Sequence, residues 1–253
     1  MPVTIRRIII ALSLAMSLTG CATTATLPPE VPPMHSVSEI KDERVAQSKD
    51  SWEGFNRTMY NFNYRLDKYF LLPIVSGYEF ITPTFVQQGV SNFFNNIEET
   101  RNLTNSIFQL KGKQTLMTLG RFVTNSTLGI GGLFDVATPM GMPVRREDFG
   151  LTLGYWGCGP GPYLVLPFFG PSSARDGSGI LVDAGIRYAL VSAINPDVNI
   201  GDEWDTIHAG VTALEAIDKR HGESFRYYGT EYPFEYDMTR YFYTKKREFE
   251  SSK

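Results

Sequence analysis

Cysteine is nearly missing from this chain: two residues in 253, at positions 21 and 158. That excludes a small fold stapled by disulfides and a metal site built on thiolates. Histidine is almost as scarce, with only His35, His208 and His221. The last two are thirteen apart and lack the H-E-x-x-H spacing of a helical zinc site. A dominant charge of one sign is also absent, because 24 Lys and Arg face 27 Asp and Glu. No nucleic-acid partner is expected of such a balance. The nucleophile elbow G-x-S-x-G does not occur, and Gly177-Ser178-Gly179 is too short to supply it. Gly129, Gly131 and Gly132 do not complete a dinucleotide loop, since Phe134 fills its last position. Lys111-Gly112-Lys113-Gln114 lacks the hydroxyl residue and upstream glycine of a P-loop. The paired acids Glu98-Glu99 and Glu147-Asp148 read as solvated faces. The chain is thus expected to be no enzyme, with no metal and no cofactor, and any work it does is passive or driven by a partner.

What is present begins at the N-terminus. Arg6-Arg7, an apolar run over 8–18 and then Leu18-Thr19-Gly20-Cys21 describe a signal peptide over 1–20. The run is about half the roughly 20 residues that a membrane-crossing helix needs. The four residues 18–21 look like a lipobox, with cleavage between Gly20 and Cys21. Cys21 would then carry diacylglycerol and an N-acyl chain. Each buried CH2 contributes about 0.8 kcal/mol, so several chains anchor durably where one does not. Ala22 in place of Asp favours the outer membrane. Residues 21–49 hold Pro28-Pro29 and Pro32-Pro33 without apolar periodicity, and read as a lipidated tether. Cys158 is left without a partner. Aromatics make up 13% of the chain, which suits a lipid–water interface.

The body, 50–250, is mostly helical in pattern. Asp50 and Glu53 have capping-box spacing. Trp52, Phe55, Met59, Phe62, Leu66 and Tyr69 form an apolar stripe, on a helix expected to stop before Pro73. Thr82-Pro83 should open a second helix. A third stretch covers about 100–110 and a fourth about 113–127. Helices are also expected over about 174–194, ended by Asn195-Pro196, and over 203–221. The last thirty residues interleave aromatics with charge, as an interfacial helix would.

Residues 149–174 contain no charged side chain but six glycines and four prolines. So many breakers argue against a regular helix and predict a Gly/Pro-rich apolar loop. Trp156, Tyr163, Leu164, Leu166, Phe168 and Phe169 are its large apolar members. In hydrocarbon, irregular backbone is tolerated only where protein satisfies its polar groups or where it lines a cavity. A core-packed loop of a soluble protein remains an equal alternative on this segment alone.

Five stretches carry a resemblance to the VacJ/MlaA lipoprotein family. They are EGFNR at 53–57, MYNFN at 59–63, RFVTNSTLGIGGLFDVA at 121–137, EDFGLTLG at 147–154 and GPGPYLVLPFFGPSSARD at 159–176. The likeness is strong over 50–183 and weaker over 202–247, and Cys158 departs from the family pattern. The resemblance implies an all-α, ring-like bundle of amphipathic helices around a central channel, lying in the inner leaflet of the outer membrane on its periplasmic side. It implies removal of mislocalised phospholipids from the outer leaflet, beside a trimeric porin, with delivery to a soluble periplasmic carrier. By the same analogy Asn61, Phe62 and Asn63 help control opening, with simple core packing on the first helix an equal alternative for Phe62. Arg57, Arg121 and Arg175 are candidates to meet the lipid phosphate, or to form structural ion pairs. A non-conducting lipid-binding scaffold is the first rival reading and a phospholipase the second.

Overall fold

The computed structural model describes His35 and residues 50–194, 201–229 and 232–252. The signal peptide, Cys21, most of the tether and the helix stop at Asn195-Pro196 lie outside the described residues.

Helix α1 is Glu53–Leu66. It does not stop before Pro73. It passes through one π-helical turn, Asp67–Leu71, into α2, Leu72–Ile81, whose first turn contains Pro73. The widened turn accommodates the missing proline N–H where a regular helix would have needed it. Helix α3, Thr84–Phe108, opens one residue later than expected, with Pro83 at its N-cap position. It absorbs both the second and the third predicted stretches into 25 residues. Helix α4 is Gly112–Thr127. The apolar segment is not an irregular loop throughout. It begins as helix α5, Phe149–Tyr155, capped by the Asp148 carboxylate accepting from Leu151 N. It ends as an antiparallel hairpin of β1, Tyr163–Leu166, and β2, Gly170–Ser173. The breakers gather in the turns between these pieces. Helices α6, Ala174–Ile194, α7, Gly201–Gly222, and α8, Glu235–Ser251, complete the described chain, so the mostly helical class holds. Among the described residues no helix is long and apolar enough to cross a membrane.

The packing closes a circuit. Helix α2 continues α1 and packs on α7; α7 packs on α3; α3 on α5; α5 on α6; α6 on the hairpin; and the hairpin on α1. Helix α4 lies against α3, and α8 against α5 and β2.

Burial runs opposite to that of a water-soluble protein. Among the described residues seven apolar or aromatic side chains are buried, against twenty-two polar or charged ones. The stripe expected to face a core on α1 is turned outward, with Trp52, Phe55, Phe62 and Tyr69 exposed. Its buried face is instead Asn56, Tyr60, Asn63 and Asp67. Phe80 is 91% exposed and Phe85 77%. An exposed apolar surface of this extent is costly in water and favourable in lipid, where buried polar groups must then satisfy one another. The expected capping box is not reciprocal: Asp50 accepts from Trp52 N, but Glu53 turns to Arg57.

Candidate functional site

The hydrogen bonds that fix the interior begin on α3. Glu99, Asn102, Asn105 and Gln109 recur at three- and four-residue steps along its buried face. Arg121 of α4 donates to Glu99 at 2.7 Å and to Thr138 at 2.9 Å, and also bonds Met142 O. Asn125 accepts from Val136 N and Ala137 N, both at 2.9 Å, and so pins the loop after Gly132. Gly132 is required there: at φ +92° an added Cβ would sit 2.7 Å from Asn96. Gln109 donates to Glu147 at 2.8 Å and Thr152 at 3.1 Å, tying α3 to α5.

The hairpin is held by two asparagines of α1. Asn56 donates to Tyr163 O at 3.0 Å and accepts from Val165 N at 2.8 Å. Asn63 donates to Leu166 O and accepts from Phe168 N, both at 2.9 Å. Seven residues of helix advance about 10.5 Å, and three residues of strand about 10 Å. The two spacings therefore match, and the amides stand in for a third strand along the β1 edge. This satisfies the backbone groups that an apolar environment leaves without water. The turn between the strands bends sharply, with Phe168 at φ 69° and Gly170 at φ 75°.

Two cavities flank that turn. The larger, about 500 Å³, lies among α3, α6, α8, the hairpin and the end of α7. The smaller, about 340 Å³, lies among α1, the π-turn, the hairpin and residues 220–227. Phe169, Pro171 and Tyr243 line both, so the hairpin turn and α8 stand between them. The larger cavity is amphipathic. Ile97, Ile180, Ala184 and Leu190 give it an apolar wall, while Glu98, Arg101, Lys219 and Arg247 give it a charged one.

Arg247 crosslinks the charged wall, bonding Asp148 at 2.8 Å through two nitrogens and Asp176 at 2.8 Å. Burial alone would raise the Asp176 carboxyl. The Arg247 and Tyr243 hydrogen bonds more than offset it and hold it at about 2, below its ordinary 3.8. A carboxyl depressed on folding contributes stability that is present above the unfolded value and lost as pH falls toward the folded one. The melting temperature is thus expected to fall most steeply between pH about 4 and about 2, and Asp176→Asn should flatten that fall in a circular-dichroism titration.

The sequence-predicted residues divide clearly. Arg57 pairs with Glu53 at 2.8 Å and Asp237 at 3.0 Å, and lies over the Tyr236 ring. Arg121 is buried against Glu99, and Arg175 is buried against Asp176 at 3.2 Å. None of the three lines either of these two cavities, and each is held in an ion pair within the fold. Asn61 accepts from the Tyr228 hydroxyl at 2.7 Å, and the Phe62 ring meets Phe168 edge-on at 5.6 Å. Together with Asn63, this triplet touches the hairpin turn and the C-terminal aromatic cluster around Tyr60. In that cluster Tyr60 bonds Glu235 at 2.8 Å, and the Tyr227, Tyr228 and Tyr236 rings pack on it. In the apolar segment, Tyr163 and Leu164 are half-buried, Leu166 packs near Gly177, and Phe168 and Phe169 are exposed. Trp156 lies outside the cavities, exposed, donating to Phe108 O at 3.1 Å. Cys158 is free and exposed. Sequence reasoning missed the cavity cations Arg101, Lys219 and Arg247, and the clamp role of Asn56. A polar stripe at helical period, inside helices whose other faces are apolar, is the signal that marks such an interior.

Residues 48–250 match the family profile described as MlaA lipoprotein. The chain belongs to the MlaA lipoprotein family. A relative from Rickettsia felis, named an uncharacterized protein, is 45% identical over 68% of this chain, which spans 65% of that relative's length. A relative from Escherichia coli strain K12, named intermembrane phospholipid transport system lipoprotein MlaA, is 36% identical over 67% of each chain. The Haemophilus influenzae protein of the same name is 30% identical over 85% of this chain and 78% of its own. A solved structure from work on the structural basis for maintenance of bacterial outer membrane lipid asymmetry superposes with a TM-score of 0.58. It shares 30% identity and covers 80% of this chain and 99% of its own. That MlaA-family match and the inverted burial of the helices describe the same kind of molecule.

Proposed function

We propose that this chain is an outer-membrane lipoprotein, anchored through Cys21 and lying in the inner leaflet on the periplasmic side. There it takes mislocalised phospholipids from the outer leaflet and passes them to a soluble periplasmic carrier, maintaining lipid asymmetry. It would do so beside a trimeric porin and without catalysing a reaction. The observation that carries the reading is a polar-cored circuit of helices with apolar outer faces, enclosing an amphipathic cavity. A phospholipid needs one polar and one apolar wall along its path, and this cavity offers both. Asn61, Phe62 and Asn63 act as gating residues: Phe62 and Asn63 contact the hairpin turn that separates the two cavities, and Asn61 ties the same stretch of helix to Tyr228. Family membership and the names of the Escherichia coli and Haemophilus influenzae relatives support the same reading.

The rival is a scaffold that binds lipid but conducts nothing. Ala184 is exposed on α6 and lines the larger cavity, so Ala184→Trp fills space without disturbing a packed core. In vesicles carrying the acylated full-length chain, this change is expected to slow passage of tail-labelled phospholipid to a soluble lipid carrier by about tenfold or more. Membrane anchoring should stay intact. Unchanged passage would favour the scaffold.

A further inference from the structure

The cations of the larger cavity are not equivalent. Arg247 is fully engaged by Asp148 and Asp176. Arg187 is held by both oxygens of Glu215, at 2.8 and 2.6 Å. Lys219 bridges Glu98 at 3.0 Å and Glu215 at 2.9 Å. Arg101 is different. Its ion-pair contact with Glu98 is 3.7 Å, beyond hydrogen-bond reach, and its Nε is buried with no hydrogen-bond partner. Arg101 stands on α3 between Ile97 and Thr104, and all three line the cavity.

Other cations stand close to the same carboxylates. Glu98 answers to Arg101, Lys219 and Arg146 at once, and Glu215 to Lys219 and Arg187. Arg101, Lys219 and Arg187 thus gather around Glu98 and Glu215 at this corner. Asp183, the further carboxyl that Arg101 influences, is already occupied by Asn105 at 2.9 Å and Phe149 N at 3.0 Å. The Nη groups of Arg101, not its sealed Nε, are the donors that can reach a ligand in the cavity. The fork of a guanidinium matches the paired oxygens of a phosphate, the anion every glycerophospholipid carries.

We infer that this corner is a phosphate subsite: Arg101, backed by Lys219, holds the phosphate of a glycerophospholipid whose acyl chains lie along Ile97, Ile180 and Leu190. The inference rests on the lipid-carrying reading given above. It moves the phosphate contact to a cavity residue whose Nη groups no carboxylate among the described residues holds within hydrogen-bond reach.

The test uses the acylated full-length protein in detergent with three probes: tail-labelled phosphatidylglycerol, tail-labelled diacylglycerol and inorganic phosphate. The wild type should bind phosphatidylglycerol more tightly than diacylglycerol. Arg101→Ala should weaken phosphatidylglycerol by about tenfold and diacylglycerol far less, and Arg101→Lys should lose part of that. Millimolar inorganic phosphate should not displace the lipid. Equal phosphatidylglycerol affinity in wild type and Arg101→Ala overturns the subsite, and so does an equal loss for both lipids. Displacement by inorganic phosphate would assign the corner to a free anion and overturn it too. If Ala184→Trp leaves the binding of both lipids intact, the cavity reading itself fails and takes the subsite with it.

Discussion

Arg121→Ala should lower the melting temperature of the detergent-solubilised protein by about 10 °C. The side chain is 3% exposed and gives Glu99, itself 1% exposed, its cation at 2.7 Å. Removing one member of a buried pair strands the other as an uncompensated charge, at about 3–5 kcal/mol. Arg121 also bonds Thr138 and Met142 O, so the loop after α4 loses its tie in the same step. Replacing both partners, Glu99→Met with Arg121→Met, should cost less than the single change, because no unpaired carboxylate remains. Parallel thermal melts of the two variants decide this. A single variant that melts with the wild type would show that Glu99 finds another partner and that the polar core is not the source of rigidity.

Asn63→Ala should act on transport more than on folding. It removes both hydrogen bonds that secure Leu166 O and Phe168 N, each costly to leave unmet where water is excluded. Freed from α1, the 167–169 turn no longer holds Phe169 between the cavities, and the two join into one passage. Amide exchange at Phe168 should rise by about tenfold or more, and phospholipid passage should become faster and less controlled. Asn56→Ala releases the strand further from the turn, so it should loosen β1 without the same gain in passage. Protection and flux unchanged in Asn63→Ala would leave the hairpin with no part in gating.

These two sites also show what the sequence reveals and what it conceals. Helix positions were readable from the 3.6-residue period, and α4, α6 and α7 lie within a few residues of the expected bounds. Orientation was not. Trp52, Phe55, Phe62 and Tyr69 form a genuine stripe, but periodicity says only that a face is apolar, not whether it meets a protein core or lipid. The opposite stripe, Asn56, Asn63 and Asp67, carried the missing information, because asparagine at seven-residue spacing has no use on a solvated face. The helix break expected at Pro73 failed because a π-turn absorbs the proline, a choice made by packing against α7 rather than by local propensity. In the 149–174 segment, glycine and proline density correctly ruled out one long helix. It could not reveal that a seven-residue helix and a hairpin survive between the breakers, since the hairpin's edge is satisfied by amides about a hundred residues earlier in the chain. The arginines chosen from motifs turn out to be held in ion pairs within the fold. A cation that a fold uses internally and one that it offers to a ligand look alike until their partners are placed.

The most direct test of lipid passage through the interior is photo-crosslinking in vesicles with a phospholipid that carries a photoactivatable acyl chain, followed by peptide mapping. Adducts within 97–104 and 180–190, lost in Ala184→Trp, are the expected result, beside adducts on outward residues such as Phe80 and Ile81. Adducts confined to those outward residues, with the inner walls unlabelled, would contradict the account.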